Sequence, residues 1–481
     1  MAHNKFLPRV LAAAAAMILL AGCGSKADPG FSPANPVNIT IWTYYNGEQL
    51  EAFNALVDEF NSTVGKEQGI TVESSSHGSV TDLENNVLAS AEGKVGAEAM
   101  PNIFSAYADT AYALDEMGQI ADLSDYLSEE DRAAFIEDYL SEGDFSGSGS
   151  IKIFPVAKSA ELLFLNETDW EPFAAATGAT YDDLSTIEGL VSVAERYYEW
   201  TDAQTPDIPN DGRAFFGRDA MANYMLIGAK QLGCTIFDAQ GGSMTLNFDH
   251  DAVRTLWDNY YVPFIKGYFS ASGRFRSDDV KTGNIIAYVG SSSSATFFPT
   301  QVIADDMDSH DITRKALESP KFANGEDYAV QQGAGMVVTK ASDAEIQASL
   351  VFLKWFTSPE HNITFSVDSG YLPVTHEGNS IDMIRASGLA LSDEMDEVLS
   401  AAVDTVNENH LYTPHAFSGG TNARAILEYS MSDKASADRA AVKEAMAQGQ
   451  SFEEASAQFL SGECFEAWYQ DTLASLEAFQ G

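Results

Sequence analysis

The sequence predicts an α/β fold with largely parallel sheets, because strand-like and helix-like segments alternate along most of the chain. The first unit shows the pattern: apolar and polar residues alternate from Val37 to Trp42, the period of a half-buried strand. Gly47 ends that segment, and apolar residues then recur at helical spacing from Leu50 to Phe60. Further strand candidates are Asn102–Tyr107, Ile151–Val156, Leu162–Leu165, Ile285–Val289 and Gly335–Thr339.

Capping residues mark the helices between these strands. Ser185 and Ser342 are each followed three residues later by a glutamate, which is the capping-box pattern. Another helix is predicted to begin after Asp249, and Pro359 marks the start of the next one. From Ala435 onward the chain has a helical pattern with almost no strand signal. The absence of a short-period repeat argues against a solenoid.

The composition is that of a large, acidic, globular protein. The chain has 481 residues, 45% of them hydrophobic, with 71 acidic and 27 basic residues and a formal charge of −44. This length predicts two large domains or about three smaller ones. The excess of acidic residues is typical of a soluble protein in an exposed compartment. It argues against nucleic acid or anionic lipid surfaces as partners.

The amino terminus has the features of a lipoprotein signal. Lys5 and Arg9 precede a short apolar run that ends in Leu20-Ala21-Gly22-Cys23, which is similar to the bacterial lipobox. The apolar run is too short to span a bilayer. Residues 1–22 are therefore predicted to be a signal peptide and Cys23 to be lipidated. Residues 23–36, rich in Gly, Ser and Pro, are predicted to be a flexible tether.

Two further cysteines, Cys234 and Cys464, could form a disulfide in an exported protein or remain as two buried thiols. Their spacing does not decide between these alternatives.

Sequence patterns of catalysis are missing. The eight histidines are scattered, and H-E-x-x-H, G-x-S-x-G and P-loop motifs do not occur. The stretch from Asp207 to Arg218 superficially resembles a calcium loop, but Pro209 and Arg218 occupy ligand positions. We therefore expect no enzyme activity, no metal and no cofactor.

Candidate binding residues follow the predicted strands. Trp42, Tyr44 and Tyr45 follow the first strand, and Tyr107 and Asp109 follow the next. Ligands of α/β sheets bind at the carboxyl ends of strands, and aromatic rings offer flat apolar faces to sugar C–H groups. The sequence therefore predicts a binding site here, with burial of these rings in the core as the alternative.

A serine run follows the strand Ile285–Val289. Ser291 to Ser294 could hold ligand hydroxyl groups or an anion at a helix start. The alternative is a polar loop with a helix cap.

Taken in order, these segments resemble the extracellular solute-binding proteins of bacterial ABC importers, a family that includes maltose, multiple-sugar and glycerol-3-phosphate binders. The resemblance covers nearly the whole chain, from Val37 to Phe479. Its segments are ITIWTYYNGEQLEAFNALVDEFN, MPNIFSAYADTAYALDEMGQIADLSDYL, IKIFPVAKSAELLFLN, NIIAYVGSSSSATFFP and GMVVTKASDAEIQASLVFLKWFTSPEHNITFSVDSGYLPV. The last is the most specific, because its helix, S-P-E turn and G-Y-L-P-V follow the family's order.

The resemblance implies a two-lobed fold like that of periplasmic binding proteins, each lobe a mainly parallel sheet flanked by helices, with a helical C-terminal region. It implies that IKIFPVAKSAELLFLN crosses between the lobes and that NIIAYVGSSSSATFFP returns. The N-terminal lobe would then comprise residues 37–157 and 285–332, and the C-terminal lobe residues 158–284 and 333–481.

For the ligand, the resemblance implies a carbohydrate, with a phosphorylated glycerol derivative as the alternative. Family members that bind glycerol-3-phosphate carry a serine in the first crossing, G-S-S after the return strand, the G-Y-L-P tyrosine and a late arginine. An arginine and several hydroxyl groups that converge on one spot are the donors that a phosphate needs. The chain departs from those binders elsewhere, with Ala108 and Asp109 where they have a glutamate, so an oligosaccharide comes first. The matching residues are Ser159, Ser291, Ser292, Tyr371 and Arg424.

The role implied is capture of a small solute at the extracytoplasmic face of the cell membrane, by a lipid-anchored monomer that delivers it to ABC permease subunits. The lobes would close over the ligand about a hinge near Lys158–Leu162 and Thr282–Ala287. A sensor or adhesin lipoprotein of the same fold is the alternative, because one fold serves several functions.

Overall fold

The computed structural model describes residues 30–303 and 309–480. The predicted signal peptide and Cys23 lie outside the described residues. The strands are β1 Val37–Thr43, β2 Ile70–Ser76, β3 Ile103–Ala106, β4 Glu161–Asn166, β5 Phe216–Arg218, β6 Phe237–Gln240, β7 Ser243–Leu246, β8 Ala287–Ser291, β9 Gln301–Val302, β10 His310–Asp311, β11 Arg314–Glu318, β12 Tyr328–Val330, β13 Gly335–Val338 and β14 His410–Tyr412.

The helices alternate with these strands through most of the described chain. They are α1 Gly47–Ser62, α2 Val64–Gln68, α3 Val80–Ala91, α4 Ala108–Glu116, α5 Glu129–Ala133, α6 Glu137–Ser141, α7 Glu167–Thr177, α8 Ile187–Asp202, α9 Met221–Gln231, α10 His250–Lys266, α11 Arg276–Lys281, α12 Asp343–Phe356, α13 Pro359–Ser369, α14 Ile381–Ala386, α15 Asp393–Glu408, α16 Gly420–Ala447, α17 Phe452–Ser456 and α18 Gly462–Glu477, with 3₁₀ helices at Tyr181–Leu184 and Ser292–Phe297.

The first lobe is built on a sheet of order β13-β3-β1-β2, in which β1 is parallel to both β2 and β3. Helices α1, α12 and α13 pack together on it. The apolar stripe of α1 supplies Phe53 and Phe60, and the rings of Phe352, Phe356 and Phe365 from α12 and α13 meet them. These contacts form the core that holds the strand ends in place.

The second lobe is built on a sheet of order β11-β4-β8-β5. Strand β4 is antiparallel to both of its neighbours, and only β5 and β8 are parallel. The expectation of a mainly parallel sheet therefore fits the first lobe but not the second. Parallel neighbours need a long crossover connection, whereas β4 enters this sheet directly from the other lobe. Helices α9, α10, α16 and α18 pack around this lobe.

The chain passes between the lobes at places that differ in part from the prediction. The first crossing is where it was expected, since residues 154–160 run from the first lobe into β4. The segment 285–332 does not return to the first lobe, because β8 and β11 pair with β4. Instead β13 returns and pairs with β3. The predicted lobe boundaries 285–332 and 333–481 are therefore wrong there, because an apolar strand does not reveal its pairing partner.

The segments that join the lobes are held to one another by isolated β-bridges. Phe154 pairs with Met336, Ser159 with Gln332, and Lys158 with Leu372. The predicted hinge segment Thr282–Ala287 lies elsewhere, between α11 and β8 inside the second lobe. The chain thus crosses between the lobes at 154–160 and 331–336, and the first of these crossings pairs with the segment 370–372.

Local predictions vary in accuracy. Asp249 caps α10, and Ser342 with Glu345 forms the capping box of α12, as predicted. Helix α8 is capped by Thr186 rather than Ser185. The candidate strand Ile151–Val156 is not a strand, because only Phe154 pairs, in an isolated bridge with Met336 of β13.

Three other expectations concern the ends and the cysteines. Phe31 is buried in the first-lobe core, so the last part of the predicted tether is packed rather than flexible. Cys234 and Cys464 are unpaired thiols, so they form no disulfide, and both are partly rather than fully buried. Within residues 30–303 and 309–480, no helix combines the length and apolar character needed to cross a membrane.

Candidate ligand-binding site

A cavity of about 610 Å³ lies between the two lobes. Its size is within the range of about 300–1,000 Å³ that is usual for small-molecule sites. The first lobe contributes side chains from α3, α4 and the end of α6, the second lobe from α9 and α16, and the second crossing adds two glutamines. The polar and charged residues that line it are Thr81, Glu84, Tyr107, Asp109, Glu142, Asn223, Gln331, Gln332, Tyr412, Thr413, Thr421, Arg424, Glu428 and Tyr429.

The first-lobe wall forms where β3 ends. Tyr107 is the N-cap residue of α4, so its side chain and that of Asp109 leave the sheet at its carboxyl edge. Thr110 donates a hydrogen bond of 2.9 Å from Oγ1 to Glu84 Oε1, which joins α4 to α3. This edge therefore presents a ring and two carboxylates to the cavity.

The second-lobe wall is organised around Arg424 on α16. Its Nη2 donates to Asn223 Oδ1, and Asn223 Nδ2 donates at 2.7 Å to the buried carboxylate of Glu161. The guanidinium is thus oriented by a polar chain inside its own lobe. Glu428, one turn further along α16, accepts a hydrogen bond of 2.7 Å from the backbone N–H of Ala222 at the start of α9.

The two walls approach each other closely at Gly420. A Cβ atom on this residue would lie 2.4 Å from Asp109 Oδ1, which is closer than atoms can pack. Glycine therefore allows the first turn of α16 to meet the carboxylate of the other lobe.

The cavity has more negative than positive groups. Glu84, Asp109, Glu142 and Glu428 line it, against the single cation Arg424. Burial raises the pKa of Asp109 to about 6; Arg424 opposes this rise, and the carboxylates of Glu84 and Glu142 reinforce it. Burial also raises the pKa of Glu84. These shifts mean that the site is a poor environment for a further negative charge.

Aromatic rings give the cavity its apolar surface. Besides Tyr107, they come from Phe237, Tyr412, Phe417 and Tyr429. Tyr429 is 59% exposed, so its ring is available at the opening. Burial raises the pKa of Tyr107, and the neighbouring Tyr371 adds to this effect, so the Tyr107 hydroxyl stays protonated as a hydrogen-bond donor.

Three predicted site residues line the cavity together, namely Tyr107, Asp109 and Arg424. The other predicted aromatic residues do not line it. Trp42 is 6% exposed and packs against His77, with ring centroids 4.1 Å apart. Tyr45 is buried against Phe53 and Phe365.

Tyr44 and Tyr371 also lie outside the lining. Their hydroxyl oxygens are 3.3 Å apart, in a cluster of tyrosines adjacent to Tyr107. Trp42, Tyr44, Tyr45 and Tyr371 therefore do not line this cavity, although Tyr44 and Tyr371 lie beside Tyr107. Their convergence on one ligand stays a prediction.

The predicted serines hold backbone segments together instead of lining the cavity. Ser159 N–H donates to the Gln332 carbonyl at 2.9 Å, and Ser292 Oγ donates to the Gly370 carbonyl at 2.9 Å. Ser291 caps the following 3₁₀ helix, and its Oγ lies 2.9 Å from that of Ser293. Their positions match the helix-cap alternative for the run.

Sequence reasoning missed most of the lining. Glu142, Gln331 and Gln332 come from irregular segments that have no motif. Tyr412 and Phe417 precede α16 in a stretch that the sequence did not assign to any element. Sequence signals existed for only three lining residues: Tyr107 and Asp109 follow a predicted strand, and Arg424 matches the late arginine of the glycerol-3-phosphate binders.

The family model for bacterial extracellular solute-binding proteins matches residues 55–387, more than half of the chain. The chain belongs to this family. No curated protein sequence matched it. Family membership implies an extracytoplasmic location and a function in binding a solute.

Solved structures share the fold at low sequence identity. The cyclic α-maltosyl-1,6-maltose binding protein of Arthrobacter globiformis is 16% identical, with a TM-score of 0.65, over 92% of this chain and 100% of that one. UgpB from Mycobacterium tuberculosis, in complex with glycerophosphocholine, is 16% identical, with a TM-score of 0.64, over 92% and 98%. A substrate-binding protein from Listeria monocytogenes, in complex with cycloalternan, is 15% identical, with a TM-score of 0.63, over 92% and 99%. These likenesses show the two-lobed fold.

The arrangement is suited to binding. Within the described part of the chain, no three His, Cys, Asp or Glu side chains lie close enough to hold a metal ion. The groups that line the cavity are rings, carboxylates, amides and one guanidinium, which can hold a polar molecule by stacking and hydrogen bonds.

Proposed function

We propose that this protein is the lipid-anchored solute-binding component of an ABC importer, and that it captures a neutral oligosaccharide between its lobes. The observation that carries the proposal is the interlobe cavity of about 610 Å³, lined by aromatic rings and hydrogen-bonding side chains from both lobes. Rings stack on the apolar faces of sugars, and carboxylates and amides accept or donate hydrogen bonds to sugar hydroxyl groups.

The charge of the cavity favours a neutral ligand over a phosphate. Four carboxylates line it with one arginine, and Lys158 behind the wall pairs with only one of them, Glu142. A phosphate would therefore meet more repulsion than attraction. The serines that matched glycerol-3-phosphate binders in sequence do not line the cavity. The Ser292 hydroxyl donates to the Gly370 carbonyl, and the Ser159 hydroxyl donates to the Gln332 side chain at 3.4 Å. Two of the similar structures are of proteins that bind cyclic sugars: one is named for cyclic α-maltosyl-1,6-maltose and the other is in complex with cycloalternan. This supports a sugar as the ligand.

Arg424 supports a second candidate, a glycerol derivative that carries phosphate. Its guanidinium lines the cavity and is oriented by Asn223, and arginine is well suited to bind phosphate. A similar structure holds glycerophosphocholine, a ligand with both a phosphate and a cation. Such a zwitterion would place its cation among the carboxylates, whereas glycerol-3-phosphate would not.

Capture would involve closure of the lobes about the crossings 154–160 and 331–336, a known class of domain motion. Cys23 would anchor the protein, permease subunits would receive the solute, and the protein would act as a monomer. A sensor or adhesin of the same fold would bind ligand in the same way but would not support uptake.

A thermal-shift panel tests the ligand class, because a ligand of the folded state raises its melting temperature. The panel contains maltotriose, cycloalternan, glycerophosphocholine and glycerol-3-phosphate. We expect the sugars to raise the melting temperature and glycerol-3-phosphate to leave it unchanged. A response to glycerophosphocholine alone would replace the first candidate by the second.

Uptake then tests the role. Deleting the gene should abolish uptake of the radiolabelled ligand that binds, and wild-type protein should restore it. Normal uptake in the deletion strain would favour the sensor or adhesin role. Recovery of that ligand unaltered after incubation with the protein tests the expectation that no catalysis occurs.

A further inference from the structure

One wall of the cavity is made by the segments that join the lobes. Gln331 and Gln332 line it from the second crossing, and Glu142 lines it from the end of α6. Gln331 Nε2 donates to Glu142 Oε2 at 3.3 Å. A ligand group that contacts this wall therefore touches the residues about which the lobes would move.

Behind this wall lies Lys158, which is 0% exposed. Its Nζ forms an ion pair with Glu142 and donates a hydrogen bond of 2.8 Å to the carbonyl of Gly333. Its backbone exchanges hydrogen bonds with Leu372, at 3.2 Å from its N–H and 2.6 Å to its carbonyl. Lys158, itself on the first crossing, thus contacts the second crossing, the segment 370–372 and a carboxylate of the cavity.

The buried ion pair of Lys158 and Glu142 is better explained by its fixing the position of Glu142 than by a gain in the stability of the fold. A buried ion pair adds little stability compared with apolar groups of the same size, because both charges lose their hydration. What it does fix is geometry, since Lys158 holds one oxygen of Glu142 in place. An ionised carboxylate is an acceptor only, so it selects ligand groups that donate, such as hydroxyl groups, and rejects phosphate oxygens.

We propose that Glu142 is a ligand-binding, specificity-determining residue and that Lys158 is its positioning residue, which links ligand contact at Glu142 to the crossings 154–160 and 331–336 between the lobes. The proposal rests on the proposed function, because it assigns roles within the same cavity. Ligand bound at Glu142 would then stabilise one relative orientation of the lobes through a side chain that no ligand touches.

Calorimetric titration with maltotriose tests the ligand contact. Glu142→Gln keeps the shape of the side chain but removes its charge, and we expect the Kd to rise by about tenfold to a hundredfold, the usual effect of losing a hydrogen bond to a charged group. Lys158→Met should raise the Kd as well. The double variant should bind no more weakly than the weaker-binding of the two single variants, because the two residues act as a unit.

The matched control is Lys354→Met, which removes a lysine from an ion pair of 2.7 Å with Asp131 away from the cavity. An unchanged Kd in Glu142→Gln or in Lys158→Met would overturn the proposal.

Hydrogen exchange without ligand tests the link to the crossings. Lys158→Met should lose protection at the amides of Ser159 and Leu372, while amides of β1 and β8 keep theirs. Since Lys158→Met leaves Glu142 buried without its partner and can unfold the chain, the double variant Glu142→Gln with Lys158→Met is measured in parallel. Unchanged protection in a folded variant would overturn the positioning role. If wild-type protein does not bind maltotriose, that result counts against the proposed function, and hydrogen exchange still decides the positioning role.

Discussion

Replacing Gly333 by alanine should destabilise the protein through the contact between the two main crossings. Gly333 has a φ of +94°, and a Cβ there would lie 2.9 Å from the Ala157 carbonyl oxygen and 3.1 Å from Lys158 Cα. A left-handed backbone costs an L-residue about 1–2 kcal/mol. Forcing a methyl group against packed backbone adds about 1–3 kcal/mol. The free energy of unfolding should therefore fall by about 2–5 kcal/mol.

Gly388 provides the matched control. Its φ is +77°, and a Cβ there would have no atom within 4 Å. Gly388→Ala should thus lower the free energy of unfolding only by the cost of the left-handed backbone, about 1–2 kcal/mol. Guanidinium chloride unfolding followed by circular dichroism gives both values, with each transition fitted separately if the lobes unfold apart. Equal destabilisation by the two substitutions would refute the claim that the crossings are packed at Gly333.

Four further substitutions test the site and the anchor. The pKa of Asp109 is raised in the folded chain, so its ionisation lowers stability as the pH rises through about 6. Asp109→Asn should therefore raise the ligand-free Tm at about pH 7.5 but not at about pH 4, where the carboxyl is protonated in the folded state; an equal shift at both pH values would contradict this. Arg424→Ala should weaken glycerophosphocholine binding by about 2–5 kcal/mol if that ligand binds, and weaken a neutral sugar less, as measured by calorimetry. Trp42→Ala should lower the free energy of unfolding by about 3–5 kcal/mol, since the ring is buried, and a loss of sugar affinity with unchanged stability would restore it as a ligand contact. Cys23→Ser should abolish lipid labelling and release the protein from membranes, and labelled, membrane-bound variant protein would exclude the anchor.

The sequence predicted local elements well because their signals are local. The capping box at Ser342 and the cap at Asp249 require only nearby residues. The alternating pattern of β1 likewise reflects burial of one face from Val37 to Ile41, whereas at its end Trp42 and Thr43 are buried as well. Pairing between distant strands has no such signal, so the return of the chain through β13 rather than β8 was not predicted.

The predicted site residues that line the cavity are likewise those that depend on a local signal. Tyr107 and Asp109 follow β3 directly, where a strand end predicts a site. Trp42, Tyr45 and Tyr371 also lie near strand or helix ends, but the core takes up their rings. Whether a ring faces a cavity or the interior depends on which helices cover it, and α12 and α13 cover the first sheet from far along the chain.

The pairing of β3 with β13 bears on how the chain acquires its fold after export. The first sheet cannot gain its edge strand until the whole of the second sheet has been synthesised, because β4, β5, β8 and β11 all precede β13. Until then β3 presents an unpaired edge, which is open to association with other chains. Contacts between residues so far apart in sequence also form slowly. A chain of this topology is therefore suited to being kept unfolded during translation and folded after translocation, when both sheets can be completed together.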